Sequence, residues 1–192
     1  MWIEIFGTVT GLIYLILEIR QRKAMWIVGL ISSLVYIYVF FTSKVYAMMG
    51  LQVYYVVISI YGFLAWSKQA TDSAPSDTGI QYRRLNGKLS LWLGLVFAAL
   101  FFLLYFILKN TDSVIPLGDA FTTTMGIVAT WMVARRILEN WYGWIIANAI
   151  SSIIYFQIGL IPTMFLYICY SLLAIVGLYT WKKKGVRYDQ DI

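Results

Sequence analysis

Seven apolar segments, each long enough to cross about 30 Å of hydrocarbon, alternate with shorter polar connections along the chain. They are Trp2–Ile19, Met25–Thr42, Tyr46–Trp66, Leu89–Leu108, Ala120–Leu138, Trp141–Leu160 and Pro162–Trp181. None shows the alternation of polar and apolar residues that a membrane β-barrel requires. Backbone groups in lipid need hydrogen-bond partners within their own segment. The pattern therefore predicts an all-α membrane protein with seven transmembrane helices.

One long hydrophilic stretch, Ser67–Lys88, separates the third and fourth apolar segments, and its Ser, Asp and Thr content predicts a flexible linker. We therefore expect four parts: a three-helix repeat in residues 1–66, the cytoplasmic linker with a fourth helix in 67–118, a second three-helix repeat in 119–181, and a cytoplasmic tail in 182–192. The first apolar segment lacks a basic stretch before it and a small-residue cleavage site. We expect it to be a permanent span rather than a signal peptide.

Composition supports a lipid environment and narrows the chemistry. Of the 192 residues 61% are hydrophobic and 12% charged, with mean hydropathy +0.75, whereas a soluble domain has about 25% charged residues. There is no His and one Cys, Cys169, which disfavours a zinc site, a disulfide framework and a histidine-based catalytic centre. Since there is also no phosphate-binding loop and no carboxylate clearly at mid-span, we expect facilitated diffusion without a cofactor or ion coupling.

The basic residues predict the topology. All but two of the 15 Lys and Arg residues follow the first, third, fifth or seventh segment, and the exceptions are Lys44 and Lys109. The positive-inside rule then places the N-terminus outside and the C-terminus in the cytoplasm of a bacterial inner membrane. The net charge of +6 is explained by this orientation and does not indicate nucleic-acid binding.

The chain also matches itself when it is shifted by 115 residues. The shift pairs Gly11 with Gly126, Trp26 with Trp141, Tyr55 with Tyr170, Gly62 with Gly177, and Trp66 with Trp181. Because one segment separates the two sets of three, both sets enter the membrane from the same side. Such parallel repeats are typical of transporters, with a substrate site between the halves near the midplane.

Polar and aromatic side chains follow helical spacing on three of the segments, as expected of residues that line a pathway. We predict a substrate-binding set with aromatic walls and a few amide, hydroxyl and carboxyl groups. It comprises Gln52, Tyr55 and Ser59 on the third segment, Asp119 and Thr123 on the fifth, and Trp141, Trp144, Asn148, Ser151 and Tyr155 on the sixth. Such a slot suits a flat heteroaromatic ring, particularly a cationic one, because cation–π contacts contribute about 0.5–2 kcal/mol each.

Several of these residues also have structural interpretations. Trp26, Trp66, Trp141 and Trp181 lie at predicted cytoplasmic ends, where an aromatic belt facing the lipid interface is expected. Small hydroxyl residues such as Ser151 commonly serve helix packing, and Gly62 and Gly177 permit close approach. Glu18 is four residues before Arg22, which predicts a solvated ion pair.

Segments three and five to seven resemble the bacterial PnuC-type vitamin transporters. The resemblance is carried by Leu51-Gln52-Val53, Ile60-Tyr61-Gly62 and Trp66, by Asp119 followed by Arg135-Arg136, by Glu139-Asn140-Trp141 with Trp144 and Asn148, and by the Gly177–Trp181 ending. It implies a three-one-three fold of sugar-transporter (SWEET) type, a homotrimer, and uptake of nicotinamide riboside or thiamine, which a cytoplasmic kinase then traps by phosphorylation. Gln52, Trp144 and Asn148 match positions that the family links with the substrate pocket.

Two departures from the family pattern bear on the substrate. The nicotinamide riboside members carry Asn where this chain has Ser59 and Val176. Losing two amides removes partners for ribose hydroxyls, and sites built around such bonds discriminate strongly. This comparison favours thiamine, with nicotinamide riboside as the alternative. A sugar carrier of the same fold and a receptor-like membrane protein are further alternatives, and an intramembrane enzyme is disfavoured because it lacks a nucleophile–base pair.

Overall fold

The computed structural model describes residues 2–42, 46–72, 80–111 and 113–187. The seven predicted segments are all α-helical: α1 Trp2–Ile19, α2 Ala24–Thr42, α3 Tyr46–Asp72, α4 Gly87–Lys109, α5 Pro116–Ala134, α6 Asn140–Gln157 and α7 Ile161–Lys184. Two short strands, β1 Gln81–Tyr82 and β2 Val186–Arg187, pair in parallel. The helical prediction is confirmed, although α5 begins and ends four residues before its predicted bounds because Pro116 starts the helix.

Helices α2, α4 and α7, together with Met49–Lys68 of α3, are long and apolar enough to cross a membrane. Helices α5 and α6 fall below that level of hydropathy. They carry the Thr run and the Asn and Ser residues, and many of their side chains are buried by neighbouring helices. A helix enclosed by other helices can be polar without exposing polar groups to lipid. The described helices therefore form an all-α membrane protein.

The chain forms two compact units, Met1–Ile80 and Gln81–Ile192, which we call unit 1 and unit 2. In unit 1, α1 packs against α2 and α2 against α3. In unit 2, consecutive helices from α4 to α7 pack against each other. The core between α4 and α5 consists of Leu93, Val128, Met132 and Ile137. The fourth helix thus packs directly against α5 and belongs to the same compact unit as the three helices that follow it.

Both ends of the predicted flexible linker are ordered. Helix α3 continues to Asp72, six residues beyond the predicted end of the span, and α4 begins at Gly87. Between them, Arg83 forms a bridge with Ile137, and β1 pairs with β2. The prediction of a flexible linker throughout Ser67–Lys88 is therefore wrong, because backbone pairing fixes residues 81–83. Residues 73–79 lie outside the described part of the chain, as do residues 188–192 of the predicted tail.

Each unit contains the same pair of tryptophans. In unit 1, Trp26 and Trp66 are in contact with ring centroids 5.5 Å apart and planes at 85°. In unit 2, Trp141 and Trp181 are 5.3 Å apart at 90°. All four side chains are at most 1% exposed. The predicted aromatic belt is therefore wrong for these four residues: each indole packs inside its own unit.

The glycines beneath these rings explain the packing. A Cβ added to Gly62 would collide with the Trp26 ring, and one added to Gly177 would collide with the Trp141 ring. The sequence predicted close helix approach at both glycines, and the group that approaches each is an indole ring from the neighbouring helix. Because neither glycine has a side chain, the indole ring can pack directly against the helix that carries the glycine.

The turns that precede the first tryptophan of each pair also correspond. Gln21 and Arg136, which are related by the 115-residue shift, both have positive φ, at 47° and 55°. The Gln21 amide donates to the Glu18 carbonyl over 2.9 Å, and the Arg136 amide donates to the Val133 carbonyl over 2.8 Å. These equivalent bonds close equivalent turns, so the sequence match extends to backbone geometry within the units. The parallel SWEET-type arrangement of the two sets of helices stays a prediction.

Candidate functional site

The predicted residues of α6 lie along one side of that helix in unit 2. Asn148 and Ser151 are buried, at 7% and 8% exposed, and Trp144 and Tyr155 are partly buried. Helix α6 can approach α5 closely because Gly143 faces Ala129 and Met125, with an added Cβ 3.3 Å from each. On its other flank, the Ser171 hydroxyl of α7 donates to the Ile145 carbonyl over 3.3 Å. The packing thus holds the α6 side chains between two helices.

Three buried side-chain atoms on this helix lack partners among the described residues: Asn140 Oδ1 and the indole Nε1 atoms of Trp141 and Trp144. The indole Nε1 of Trp144 is buried and donates to no acceptor there, and the same is true of Trp141. A buried donor without a partner is unfavourable by about 1–3 kcal/mol. For Trp141 the ring is fully enclosed by its contacts with Trp181 and Gly177. Trp144 is only partly buried, so its unsatisfied donor is the better candidate for a ligand contact.

An aromatic cluster continues this face toward the other end of α6. Tyr155 stacks on Tyr167 with centroids 5.1 Å apart and planes at 25°, and Tyr167 meets Tyr170 edge to face at 5.8 Å. The sequence analysis predicted Tyr155 but not its two partners on α7. The match of Tyr55 with Tyr170 in the internal repeat was the available signal for Tyr170. The cluster offers ring faces for stacking with a planar heterocycle.

The α5 residues occupy different environments. Asp119 lies in the first turn of α5, where its Oδ2 accepts a hydrogen bond from the Ser113 hydroxyl over 2.6 Å. Thr123 is partly buried, whereas its neighbour Thr124 is fully buried and its hydroxyl has no partner among the described residues. Thr124 is thus a polar group that the sequence analysis left out of the predicted set. Its place in a run of three threonines gave no means of choosing between them.

The three predicted residues of α3 belong to unit 1. Ser59 is buried, at 4% exposed, while Gln52 and Tyr55 are partly buried. The Ser59 hydroxyl lies 3.1 Å from the position that a Cβ on Gly29 would occupy, and the Tyr14 ring is equally close to that position. Tyr55 contacts Tyr54, with ring centroids 5.4 Å apart. Unit 1 therefore has its own buried polar and aromatic group.

Glu18 belongs to this part of unit 1, although the sequence analysis placed it in solvent. Its side chain is 1% exposed and its Oε1 has no partner among the described residues. Arg22, the predicted partner, is exposed. The predicted solvated ion pair is therefore wrong, since the last turn of α1 directs the carboxyl inward. A search of the described residues for three or more grouped His, Cys, Asp or Glu found no metal-binding cluster.

Comparison with known proteins places these features in context. The family model described as nicotinamide mononucleotide transporter matches residues 1–183. The nicotinamide riboside transporter PnuC of Escherichia coli (strain K12) is 28% identical, over 94% of this chain and 84% of its own. The riboflavin/roseoflavin transporter RibM of Streptomyces davaonensis is 25% identical, over 100% and 90%.

A solved structure shows the same fold. The crystal structure of the vitamin B3 transporter PnuC superposes with a TM-score of 0.73 at 24% identity, and the match covers 95% of this chain and 81% of that one. The resemblance to PnuC-type vitamin transporters that the sequence indicated is thus confirmed. These relatives are named for nicotinamide riboside and riboflavin, which favours the nicotinamide riboside alternative over thiamine.

Proposed function

This chain belongs to the nicotinamide mononucleotide transporter family, and we propose that it carries nicotinamide riboside across the membrane by facilitated diffusion. The observation that carries the proposal is the α6 face, where the partly buried Trp144 has an unsatisfied indole donor and Asn148 is buried one turn further on. The full-length similarity to a nicotinamide riboside transporter supports this choice of substrate.

The chemistry of the α6 face fits this substrate. Nicotinamide riboside has a flat cationic pyridinium ring, a carboxamide and a ribose. The indole of Trp144 can stack on the ring with a cation–π contribution of about 0.5–2 kcal/mol, while its Nε1 can donate to an oxygen acceptor. The Asn148 amide both donates and accepts, as recognition of a carboxamide or a hydroxyl requires. Thus two neighbouring side chains can recognise the substrate by stacking and by hydrogen bonding.

The Ser59 and Val176 departures remain consistent with this substrate. Ser59 retains a hydroxyl that can bond to a ribose hydroxyl, and it is buried in unit 1. Val176 is 50% exposed, so an amide at this position would not be enclosed by unit 2. The sequence argument for thiamine depended on both positions. Only the Ser59 position removes a buried amide, which weakens that argument.

The proposal includes an orientation of the chain in the membrane and a mechanism that retains the vitamin in the cytoplasm. We propose that all seven helices cross the bacterial inner membrane, with the N-terminus outside and the basic ends of α1, α3, α5 and α7 in the cytoplasm. Phosphorylation by a cytoplasmic kinase would trap the vitamin as a product whose added anionic phosphate the carrier does not accept. Assembly as a homotrimer is part of the same proposal.

Purified protein in liposomes tests the function. We expect the wild type to equilibrate labelled nicotinamide riboside across the membrane without ATP or an ion gradient. Trp144→Ala and Asn148→Ala should each weaken substrate affinity at least tenfold, equivalent to about 1.4 kcal/mol, because each removes a recognition group. Trp92→Phe, on an exposed position of α4, is the control. Competition with excess unlabelled thiamine or riboflavin tests whether the protein also binds these vitamins.

Two results would count against the proposal. Wild-type liposomes that take up thiamine or riboflavin but not nicotinamide riboside would assign a different vitamin. Unchanged affinity in folded Trp144→Ala and Asn148→Ala proteins would remove the α6 face from the site.

A further inference from the structure

The carboxyl group of Glu18 is the least expected buried group in unit 1. The residue is 1% exposed, and its Oε1 has no hydrogen-bond partner among the described residues. Transfer of an unpaired polar group from water to an apolar environment is unfavourable, and much more so when it is charged. The buried Glu18 carboxyl therefore lowers stability unless something compensates it.

The surroundings of Glu18 are aromatic and polar. Tyr14, one turn earlier on α1, lies within electrostatic range of Glu18 and of Tyr54 and Tyr55 on α3. The Tyr14 ring meets Trp26 edge to face with centroids 6.4 Å apart at 87°. Tyr14 thus contacts α2 and lies near α3, in the part of unit 1 that contains the carboxyl group.

A gap in α2 brings Tyr14 near Ser59. Gly29 has no side chain, and a Cβ there would lie 3.1 Å from both the Tyr14 ring and the Ser59 hydroxyl oxygen. The Tyr14 ring and the Ser59 hydroxyl thus both lie over the face of α2 that Gly29 leaves open. The hydroxyl group of Ser59 is thereby placed in the same buried region as the phenol of Tyr14.

The three basic residues that follow Glu18 in the sequence do not pair with its Oε1. Arg20, Arg22 and Lys23 are all exposed. The Lys23 ammonium lies 5.7 Å from the centre of the Phe63 ring, where it has its own cation–π contact. None of these three residues supplies a partner for the Glu18 Oε1. The turn between α1 and α2 therefore supplies no positive charge that pairs with the Glu18 Oε1.

Unit 2 shows that the fold does not require this polar group. The 115-residue shift relates Glu18 to Val133, Tyr14 to Ala129 and Ser59 to Ala174, and all three equivalents are apolar and 0% exposed. The same tryptophan pair, glycine contact and positive-φ turn are present in unit 2. Equivalent packing is thus achieved with small apolar side chains, so the Glu18 group serves a purpose specific to unit 1.

We propose that Glu18, Tyr14 and Ser59 form a binding site in unit 1 for an organic aromatic cation. The Glu18 carboxylate neutralises the positive ring, Tyr14 contributes an aromatic wall, and Ser59 offers a hydroxyl to a polar substituent. An aromatic cation fits better than a small hydrated ion, because one carboxylate and aromatic rings do not replace a hydration shell. The inference rests on the proposed function: the pyridinium of nicotinamide riboside is that cation, and unit 1 offers it a second site, separate from the α6 face.

The site is closed in this conformation, since the Glu18 carboxyl is covered. Access requires α1 to separate from α2 near Tyr14 and Trp26. Helix movements of this kind occur on the microsecond-to-millisecond timescale in membrane carriers. The contact that must open is an edge-to-face ring pair, which contributes only about 0.5–1.5 kcal/mol beyond its buried area.

A matched pair of substrates isolates the charge. Nicotinamide riboside is a cation, and its 1,4-dihydro form has almost the same shape but no charge. We expect Glu18→Gln to weaken binding of the cation to the unit 1 site at least tenfold in purified protein by titration calorimetry, and to change binding of the dihydro form less than threefold. Glu18→Val, which installs the unit 2 residue, should do the same while keeping a wild-type unfolding midpoint. Glu18→Asp should retain part of the preference for the cation.

The outcomes separate this inference from the proposed function. If wild-type protein transports neither form of nicotinamide riboside, the proposed function fails. Titration with the thiamine cation then still tests Glu18, because the same loss in Glu18→Gln would support a cation site. Equal losses for the cation and the dihydro form would show that Glu18 is structural and overturn the inference. Wild-type accumulation driven by a pH gradient, and lost in Glu18→Gln, would overturn it in favour of a proton-binding role.

Discussion

At the scale of single residues, an indole ring over a glycine is the contact on which each unit depends most. Trp26 over Gly62 and Trp141 over Gly177 each bury a large aromatic surface where any side chain on the glycine would collide with the ring. Aromatic side chains of this size contribute strongly to core energetics. The contact also leaves the indole Nε1 of Trp26 and Trp141 without partners among the described residues. Packing therefore outweighs hydrogen bonding at these two positions.

We expect Gly62→Ala and Gly177→Ala each to lower the free energy of unfolding by roughly 1–3 kcal/mol, the usual effect of overpacking. The added methyl group would force the indole ring away from its partner tryptophan. Gly94→Ala on α4 is the control, because a Cβ there meets no atom within 4 Å. Thermal unfolding in detergent measures the change. Equal midpoints for Gly177→Ala and Gly94→Ala would contradict the structural role of the ring contact.

The four tryptophans also show where sequence reasoning succeeded and where it did not. The repeat correctly paired Trp26 with Trp141 and Gly62 with Gly177, because residue identity survives in a sequence comparison. The belt interpretation was wrong because position near a helix end does not reveal which side of the helix faces the lipid. Likewise, Glu18 and Arg22 have the spacing of an ion pair, yet the carboxyl is buried and Arg22 exposed. Rotation of a helix about its axis was the missing information.

At the scale of structural elements, Glu139 joins the segment before α4 to the turn between α5 and α6. Its Oε1 accepts a hydrogen bond from the Arg84 Nε and its Oε2 accepts one from the Leu85 amide, both over 3.1 Å. Alongside, the Arg83 amide donates to the Arg136 carbonyl and the Leu138 amide donates to the Arg83 carbonyl, each over 2.9 Å. One carboxylate thus anchors a segment whose composition suggested a flexible linker.

We expect Glu139→Ala to accelerate hydrogen exchange of the Leu85 amide by roughly tenfold or more, since hydrogen bonds to charged groups contribute about 1.5–3 kcal/mol. Arg84→Ala is the matched control: it removes the ion pair but leaves the carboxylate that accepts from Leu85. Its effect should be small, because Arg84 is 48% exposed and ion pairs near the surface contribute about 0–1 kcal/mol. Equal protection of Leu85 in wild type and Glu139→Ala would show that backbone pairing alone holds the segment.

The helices and strands also show how much of the fold could be predicted from the sequence. Helix positions were predictable because continuous apolar runs dominate the chain, and α1 has its predicted bounds. The short strands were not, because β1 and β2 have two residues each and form through pairing with distant backbone. In the candidate site, the spacing of Trp144 and Asn148 identified a helix face. Tyr167 and Tyr170 joined it only when α7 was placed, through the contact of Tyr167 with Tyr155.

At the scale of the whole molecule, the distribution of Lys and Arg is the feature from which we predict the topology. We expect a cysteine at Asn110 to be labelled by a membrane-impermeant reagent in intact cells, and a cysteine at Lys183 to be labelled only after lysis. Asn110→Cys and Lys183→Cys would be made in a Cys169→Ser background, and both positions are exposed. The opposite labelling pattern, or labelling of both sites in intact cells, would contradict the positive-inside assignment.

The right-angled tryptophan pairs give each unit its own spectroscopic reporter. Two indoles in contact, with planes at 85° in unit 1 and 90° in unit 2, have coupled excited states and should produce a circular-dichroism couplet. Trp66→Phe would silence the signal of unit 1, and Trp181→Phe that of unit 2. Melting curves of the two variants would then reveal whether the units lose their structure together or one after the other.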